Sequence, residues 1–140
     1  WYLLEWPTHR GLQQWVRDMN RVYRAEPALW ERDDSYEGFE WIDFHDVENT
    51  VLAFVRRGFD TDSEVVVACN FTPVPRTNYR VGVPQGGRWR EILNSDAEYY
   101  GGSGMGNQGG AAAVARYYHF QSRSFPGGKT AKRGELTWIS

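Results

Sequence analysis

Residues 50–57, TVLAFVRR, and residues 64–71, EVVVACNF, carry the strongest β pattern in this sequence. Odd and even positions of the first segment are both apolar, so both faces of that strand are expected to be covered. The Gly- and Asp-rich residues 58–63 between the two segments predict a turn. Residues 72–75, TPVP, end the second segment because proline cannot donate a hydrogen bond to a β ladder.

Three more short strands are predicted on either side of this pair. They are Phe39–Asp43, Tyr79–Val83 and Arg88–Leu93, and residues 84–87, PQGG, are predicted to close a hairpin between the last two. Five short strands at hairpin spacing, with no helical segment between them, favour antiparallel pairing over a parallel sheet. The predicted fold class is therefore mainly β, an antiparallel β-sandwich preceded by an N-terminal α-helix.

The N-terminal segment has a helical period. Thr8 is the predicted N-cap, and Pro27 disfavours helical geometry at Glu26, so the helix should end by Ala25. Its apolar residues recur at steps of three and four and form one stripe, which we expect to be buried. The stripe comprises Leu12, Trp15, Val16, Met19, Val22 and Tyr23; the polar face comprises Gln13, Gln14, Arg17, Asp18, Asn20, Arg21 and Arg24.

The last third of the chain differs from the rest. Glycine dominates residues 101–110, which predicts a loop that needs support from elsewhere in the fold. Residues 111–140 carry five basic side chains and one acid (net +4), whereas residues 1–110 carry eleven and seventeen (net −6). Two further strands are predicted here, at Tyr117–Phe125 and Leu136–Ile139.

Composition excludes several classes of protein. The chain has 140 residues, 41% of them hydrophobic and 24% charged, as expected for a globular domain. A net charge of −2 gives no electrostatic reason to expect nucleic acid or an anionic membrane as partner. No apolar run approaches the roughly 20 residues of a membrane span, and no secretory signal pattern is seen. The single cysteine, Cys69, cannot form an internal disulfide.

A G-x-G-x-x-G pattern occurs at Gly104, Gly106 and Gly109, and residues 111–114 after it are a candidate helix start. Dinucleotide binding needs a strand that leads into the first glycine and an acid about twenty residues further on. The preceding residues are DAEYY, and Lys129 lies near the expected position of the acid. A plain loop is the favoured interpretation, and no cofactor is predicted.

The metal-site patterns are incomplete. Residues 60–64, DTDSE, begin like a calcium loop, but Val65 replaces the glycine at the sixth position and Phe71 replaces the glutamate at the twelfth. A solvated turn is therefore favoured. The remaining potential ligands are too scattered for a zinc site and comprise His9, His45, His119 and Cys69. No metal is predicted.

Asp43, Asp46 and Glu48 lie close together, and pairs of carboxylates support acid/base chemistry on sugars. They lie in a predicted strand connection, where acids usually face water. No nucleophile motif is present, so no catalytic residue is predicted, and a small hydrolase that uses this cluster remains an alternative. Residues 70–72, NFT, match a glycosylation sequon, which matters only in a secreted chain.

Aromatic residues make up 16% of the chain. Several of them could form a platform that stacks on sugar rings, although inward-pointing Trp41 and Trp89 that fill the sandwich are the favoured interpretation. The platform candidates are Trp30, Trp41, Trp89, Tyr99 and Tyr100.

Several strings, in order, resemble the C-terminal part of bacterial 1,4-alpha-glucan (glycogen) branching enzymes. The resemblance covers about residues 1–110. The strings are WYLLE at 1–5, HRG at 9–11, WVRDMNRVY at 15–23, EPAL at 26–29, EGFEWI at 37–42, VACNFTPVP at 67–75 and NSDAEYYGGSG at 94–104.

The resemblance implies membership of the alpha-amylase superfamily, whose branching enzymes cut an alpha-1,4 linkage and transfer the piece to a 6-hydroxyl. That chemistry takes place on a (β/α)8 barrel of roughly 250 residues, too large for this chain. The resemblance therefore implies a non-catalytic, cytoplasmic fragment whose partners are the missing barrel and alpha-glucan, or alternatively an independent alpha-glucan-binding module. It divides the chain into residues 1–36, the terminal barrel helix and linker; 37–110, the all-beta domain; and 111–140, a divergent tail.

Loss of similarity and reversal of charge coincide after Gly110. Our hypothesis is a shift of reading frame at this point. Translation of the coding DNA in the other two frames tests it, because the correct frame should restore an apolar closing strand.

Without its barrel partner, the apolar stripe is expected to fold back on the sandwich or to drive self-association.

Overall fold

A computed structural model describes residues 2–115 and 134–138 of the chain. Within these ranges the backbone forms one long helix and two antiparallel sheets, ordered β1-β2-β3 and β4-β7-β6-β5. The mainly β, antiparallel prediction is confirmed. The elements are α1 (Pro7–Ala25), β1 (Phe39–Asp46), β2 (Val51–Arg57), β3 (Glu64–Asn70), β4 (Tyr79–Val83), β5 (Gly87–Arg90), β6 (Gly110–Ala115) and β7 (Gly134–Trp138).

The first sheet follows the sequence prediction closely for β2 and β3. These strands pair without interruption from Val51 opposite Asn70 to Arg57 opposite Glu64. Strand β1 extends to Asp46, beyond the predicted end at Asp43, and its pairing with β2 shifts register on both sides of Asp43. Such bulges turn successive side chains to new directions, which a strict two-residue period does not anticipate.

The second sheet corrects the predicted hairpin. β4 and β5 do not pair; β7 and β6 lie between them, so the two strands form opposite edges of the sheet. β5 also ends at Arg90 rather than Leu93. Residues 111–114, the candidate helix start, belong to β6, because pairing with β5 and β7 on both sides overrides the helical preference of alanine. β7 overlaps the predicted strand at Leu136–Ile139, whereas Tyr117–Phe125 lies outside the described residues.

The two sheets pack face to face as a sandwich. Val66 of β3 packs against Val83 of β4 and Ala113 of β6, and Val55 of β2, opposite Val66, is 1% exposed. Burial of a valine side chain stabilises a fold by about 1.5 kcal/mol. Small apolar residues therefore hold the layers together, and Trp89 of β5 packs against them.

Helix α1 begins two residues before the predicted start. Trp6 is the N-cap and Pro7 occupies the first turn, where the missing N–H of proline costs nothing because that position has no intrahelical partner. The helix ends at Ala25 as predicted, and the Glu26 N–H donates to the Val22 carbonyl.

The face that α1 turns toward the rest of the molecule differs in part from the predicted one. Gly11 and Asp18 are buried, whereas four members of the apolar stripe are exposed. Leu12 is 60% exposed, and Val16, Met19 and Tyr23 are each more than 40% exposed. Trp15 and Val22 are half-buried, and together with Met19 and Tyr23 they line a cavity that β3 also lines. The stripe is thus only partly covered by the rest of the fold. None of the helices in the described ranges has the length and apolar character to cross a membrane.

Candidate functional site

The glycine-rich loop is a supported loop rather than a phosphate cradle. The carboxylate of Asp96 accepts hydrogen bonds from the Ser103 N–H (2.9 Å), the Met105 N–H (3.1 Å) and the Ser103 hydroxyl. The Ser103 contacts lower the pKa of Asp96 because they favour its charged form. The N–H groups of Ser103 and Met105, which would have to face a phosphate, thus already donate to Asp96.

The same loop is held at two further points. The Asn94 side chain donates to the Met105 carbonyl (2.7 Å), and the Glu91 carboxylate accepts from the Asn107 N–H (2.9 Å). Gly104 and Gly109 have φ values of +82° and +90°, a region that favours glycine. The G-x-G-x-x-G spacing therefore reflects turn geometry, as the plain-loop interpretation predicted.

A buried polar cluster attaches α1 to the turn Glu98–Tyr100. Asp18, 6% exposed, accepts hydrogen bonds from the Tyr100 hydroxyl (2.9 Å) and from the Gln14 side chain (2.8 Å), and pairs with Arg21 (3.0 Å). The Gln14 and Tyr100 contacts lower the pKa of Asp18, while burial raises the pKa of the Tyr100 phenol. We call Gln14, Asp18 and Tyr100 the helix clasp.

The helix clasp explains why α1 exposes its apolar stripe. The space where a Cβ of residue 11 would lie is taken by the Tyr100 carbonyl group, and the rings of Trp15 and Tyr100 meet edge to face at 5.2 Å. These contacts lie on the Gly11–Asp18 side of the helix. Gln14 and Asp18 are predicted on the solvent face because polar side chains usually lie there, and nothing local reveals that Asp18 has a partner 82 residues away.

The three carboxylates of the predicted cluster have different surroundings in the structure. Asp46 accepts hydrogen bonds from the Tyr79 hydroxyl (2.6 Å) and from the backbone and side chain of Asn49, and these lower its pKa, Tyr79 most strongly. Asp43 is exposed and accepts from the His45 N–H (2.9 Å). Both belong to β1 rather than to a strand connection, and Glu48 is exposed in the following turn. A general acid needs a raised pKa, which Asp46 lacks.

The other predicted motifs are explained by turns. Asp60 accepts from the Asp62 N–H (3.1 Å) in the β2–β3 connection, so the calcium-like segment is a hairpin turn. The sequon residue Asn70 donates to the Val74 carbonyl (2.9 Å) and accepts from the Thr72 N–H (2.9 Å). Among the residues the structure describes, no group of three or more His, Cys, Asp or Glu side chains could hold a metal ion.

The five platform candidates do not come together. Trp30 lies between α1 and β1, Trp41 on β1, Trp89 on β5, and the two tyrosines in the turn at Glu98–Tyr100. Trp41, 44% exposed, does not fill the core, so that interpretation is wrong for it. Trp89 is half-buried and does pack against the Val83–Ala113 core. Tyr100 is buried in the helix clasp.

A different aromatic surface forms around Trp41. Its ring lies 5.0 Å from Phe39, 5.5 Å from Phe44 and 5.9 Å from Phe54, measured between centroids. Phe39, Trp41 and Phe44 are all exposed. We call these four residues the β1 aromatic cluster. The flat, exposed rings can stack on the apolar face of a sugar.

Part of this cluster could have been found from the sequence. Phe39 and Trp41 are two residues apart and therefore share a face of β1. Phe54 of β2 lies directly opposite Trp41 in the paired strands. Phe44 has the opposite parity to Trp41. It reaches the same surface because the register shifts beside Asp43, and a bulge of that kind has no signal in the sequence.

Comparison with known proteins gives a consistent result. The chain is 60% identical over 119 residues to the 1,4-alpha-glucan branching enzyme of Aquifex aeolicus (strain VF5), covering 85% of this chain and 19% of that protein. It is 50% identical over 126 residues to the 1,4-alpha-glucan branching enzyme of Xanthomonas euvesicatoria pv. vesicatoria (strain 85-10), covering 90% and 17%. It is also 52% identical over 110 residues to that of Synechococcus elongatus (strain ATCC 33912 / PCC 7942 / FACHB-805), covering 79% and 14%.

The chain thus spans less than a fifth of the length of these curated relatives. Residues 41–128 match the family described as alpha amylase, C-terminal all-beta domain. That match covers more than half of the chain and contains the β2–β3 pair and the second sheet as far as β6. The two-sheet architecture agrees with it. This chain therefore belongs to the family of alpha-amylase C-terminal all-beta domains.

Proposed function

We propose that this chain is the C-terminal portion of a 1,4-alpha-glucan branching enzyme, which transfers an alpha-1,4-glucan segment to a 6-hydroxyl. In that enzyme it supports a catalytic (β/α)8 barrel carried by the rest of the protein and performs no chemistry itself. The observation that carries this proposal is the identity of 50–60% to branching enzymes more than four times its length.

The exposed face of α1 supports a role as a supporting domain. Leu12, Val16, Met19 and Tyr23 are each more than 40% exposed, while the helix clasp attaches another side of α1 to the all-beta domain. Met19 and Tyr23 also line a cavity between α1 and β3, whereas Leu12 and Val16 lie outside it. A group of adjacent exposed apolar side chains often marks an interaction surface. The proposed occupant is the barrel, for which α1 would be the last helix. Residues 1–36 would then be the barrel helix and linker, 37–110 the all-beta domain and 111–140 the divergent tail.

The proposal that the chain is non-catalytic is supported by the hydrogen bonding and charge of its carboxylates. Asp46 is committed to Tyr79 and Asn49 and is held in its charged form, so it cannot serve as a general acid. Asp96 and Asp18 are committed in the same way. A cytoplasmic location is proposed because it is where such an enzyme would meet its glucan.

A reconstitution experiment tests the supporting role. The purified chain is mixed with the catalytic remainder of the Aquifex aeolicus enzyme, and alpha-1,6 linkages are counted after debranching. We expect no activity from the chain alone and activity from the mixture. Val16→Glu should weaken the pairing about tenfold, because burial of a valine is worth about 1.5 kcal/mol.

The matched control is Asn20→Glu, an exposed polar position on the same helix. It should leave the reconstituted activity unchanged. Alpha-1,6 linkages formed by the chain alone would refute the proposal that it is non-catalytic. Equal loss in both variants would refute the stripe as the contact surface.

The β1 aromatic cluster supports a second role, contact with alpha-glucan, which a free-standing binding module would share. In native gels that contain glycogen, Trp41→Ala should reduce the retardation of the chain, with an apparent affinity about tenfold lower. Trp30→Ala is the control, because Trp30 and Trp41 are both 44% exposed and only Trp41 belongs to the cluster. Equal retardation of the two variants would contradict this role.

A further inference from the structure

A cavity lies beside Trp89, and none of the residues that line it belongs to the β1 aromatic cluster. It has a volume of about 350 Å³ and is bounded by the end of the β2–β3 turn, the β4–β5 connection and β5. That volume is at the lower end of the range for ligand sites and suits a ligand of a few sugar units. Trp89 forms one wall, half-buried against the core, and its ring N–H donates to the Gln85 carbonyl (3.1 Å).

Charged side chains surround Trp89. Asp62 and Arg88 line the cavity, and both are exposed. Within residues 2–113, the carboxylate of Asp62 and the guanidinium of Arg88 make no hydrogen bond or ion pair. Carboxylate and guanidinium groups each offer two adjacent polar atoms, a spacing that suits neighbouring hydroxyl groups of a sugar.

The overall charge of the cavity selects for a neutral ligand. Glu64 is already engaged by Arg57 (3.0 Å) and Gln85 (3.0 Å), and Glu26 faces Arg90 at 3.4 Å. Acids and bases are thus nearly balanced, which favours neither a phosphate nor a metal cation. An aromatic wall beside balanced, bidentate polar groups fits an uncharged polyhydroxylated ring.

A larger cavity of about 700 Å³ lies between α1 and β3, and it fits such a ligand less well. The polar side chains that line it are used within the fold: Asn70 by Val74 and Thr72, Asn94 by Met105, and Asp96 by Ser103. A sugar bound there would find few free partners, and each buried hydroxyl left unpaired would cost binding energy.

We propose that the cavity beside Trp89, with Asp62 and Arg88 at its rim, is a binding site for a short alpha-glucan segment. The glucan identity rests on the proposed function; the shape and chemistry of the site do not. The site would hold a chain at a separate place from the β1 aromatic cluster. Two sites on one small domain raise the effective concentration of a polymer that can reach both.

The test uses maltotriose and measures its affinity by tryptophan fluorescence on the full chain. The Trp41→Ala variant, which lacks the other aromatic site, should still bind maltotriose. Adding Asp62→Asn and Arg88→Ala to that variant should lower the affinity about tenfold or more, as expected for loss of charged hydrogen bonds. These rim positions are exposed, so the fold should survive, whereas Trp89 also supports the core.

The control is Asp34→Asn with Arg80→Ala, an equally exposed pair away from the cavity. Equal affinities for the rim and control variants, or no maltotriose binding in the Trp41→Ala variant, would overturn the site. Equal binding of cellotriose would overturn its assignment to alpha-glucan. In each case the reconstitution of branching activity would be unaffected, so the proposed supporting role would be judged separately.

Discussion

Gly11→Ala is expected to loosen α1 from the all-beta domain and to destabilise the protein by about 1–3 kcal/mol. A Cβ atom at this position would lie 2.6 Å from the Tyr100 carbonyl carbon and closer still to its oxygen. Both atoms belong to the backbone of the turn at Glu98–Tyr100, so neither can rotate away. The helix must shift outward, and the hydrogen bond between Tyr100 and Asp18 must lengthen with it.

This result would run against local helix preference. Alanine is favoured over glycine in a helix by about 1 kcal/mol, so an undocked α1 would be stabilised by the same change. Asn20→Ala, at an exposed position of the same helix, is the matched control and should be neutral or slightly stabilising. Chemical unfolding and hydrogen exchange of residues 8–25 provide the measurements. Stabilisation by both variants would show that Gly11 has no docking role.

Asp18→Asn is expected to weaken the helix clasp at neutral pH and to remove part of its dependence on acid. The hydrogen bonds from Gln14 and Tyr100, with the nearby charges of Arg21 and Arg17, lower the pKa of Asp18 in the folded protein. The unfolded chain binds a proton at a higher pH, near 3.9. The stabilising contribution of Asp18 is therefore complete at neutral pH and is lost as the pH falls through the lowered pKa.

The other ionisable groups that face Asp18 are Arg21, Arg17 and the phenol of Tyr100, and burial raises the pKa of that phenol away from the acidic range. Hydrogen exchange of residues 8–25 should be faster in Asp18→Asn than in the unmodified chain at pH 7, and the two should converge at an acidic pH below the lowered pKa of Asp18. Asp34→Asn, an exposed carboxyl in the linker, should match the unmodified chain at both pH values. A constant difference across the range would contradict a charge-dependent clasp.

Short-range patterns in the sequence predict most of the strands correctly. β2, β3 and β4 agree with prediction to within a residue at each end, because alternation and breaker residues act locally. The end of α1 is predicted for the same reason, since Pro27 constrains only its neighbours. The resemblance to branching enzymes also lies in the sequence alone, in strings that keep their order over about 110 residues.

Contacts between distant residues decide the remainder. Strand order in the second sheet, the burial of Asp18 and the place of Trp41 on the surface all depend on partners far along the chain. A hydrophobic stripe shows that a helix has an apolar side, but it does not show which part of the protein packs against that side.

The amino-acid sequence by itself therefore determined the β-rich class, the limits of the central strands and the family to which this chain belongs. Only the tertiary structure decided which side of α1 is docked, which aromatic residues share a surface and which charged residues surround Trp89. The physical reason is that propensity and periodicity depend on neighbours within a few residues, whereas burial, pairing and pKa depend on whatever the folded chain brings into contact.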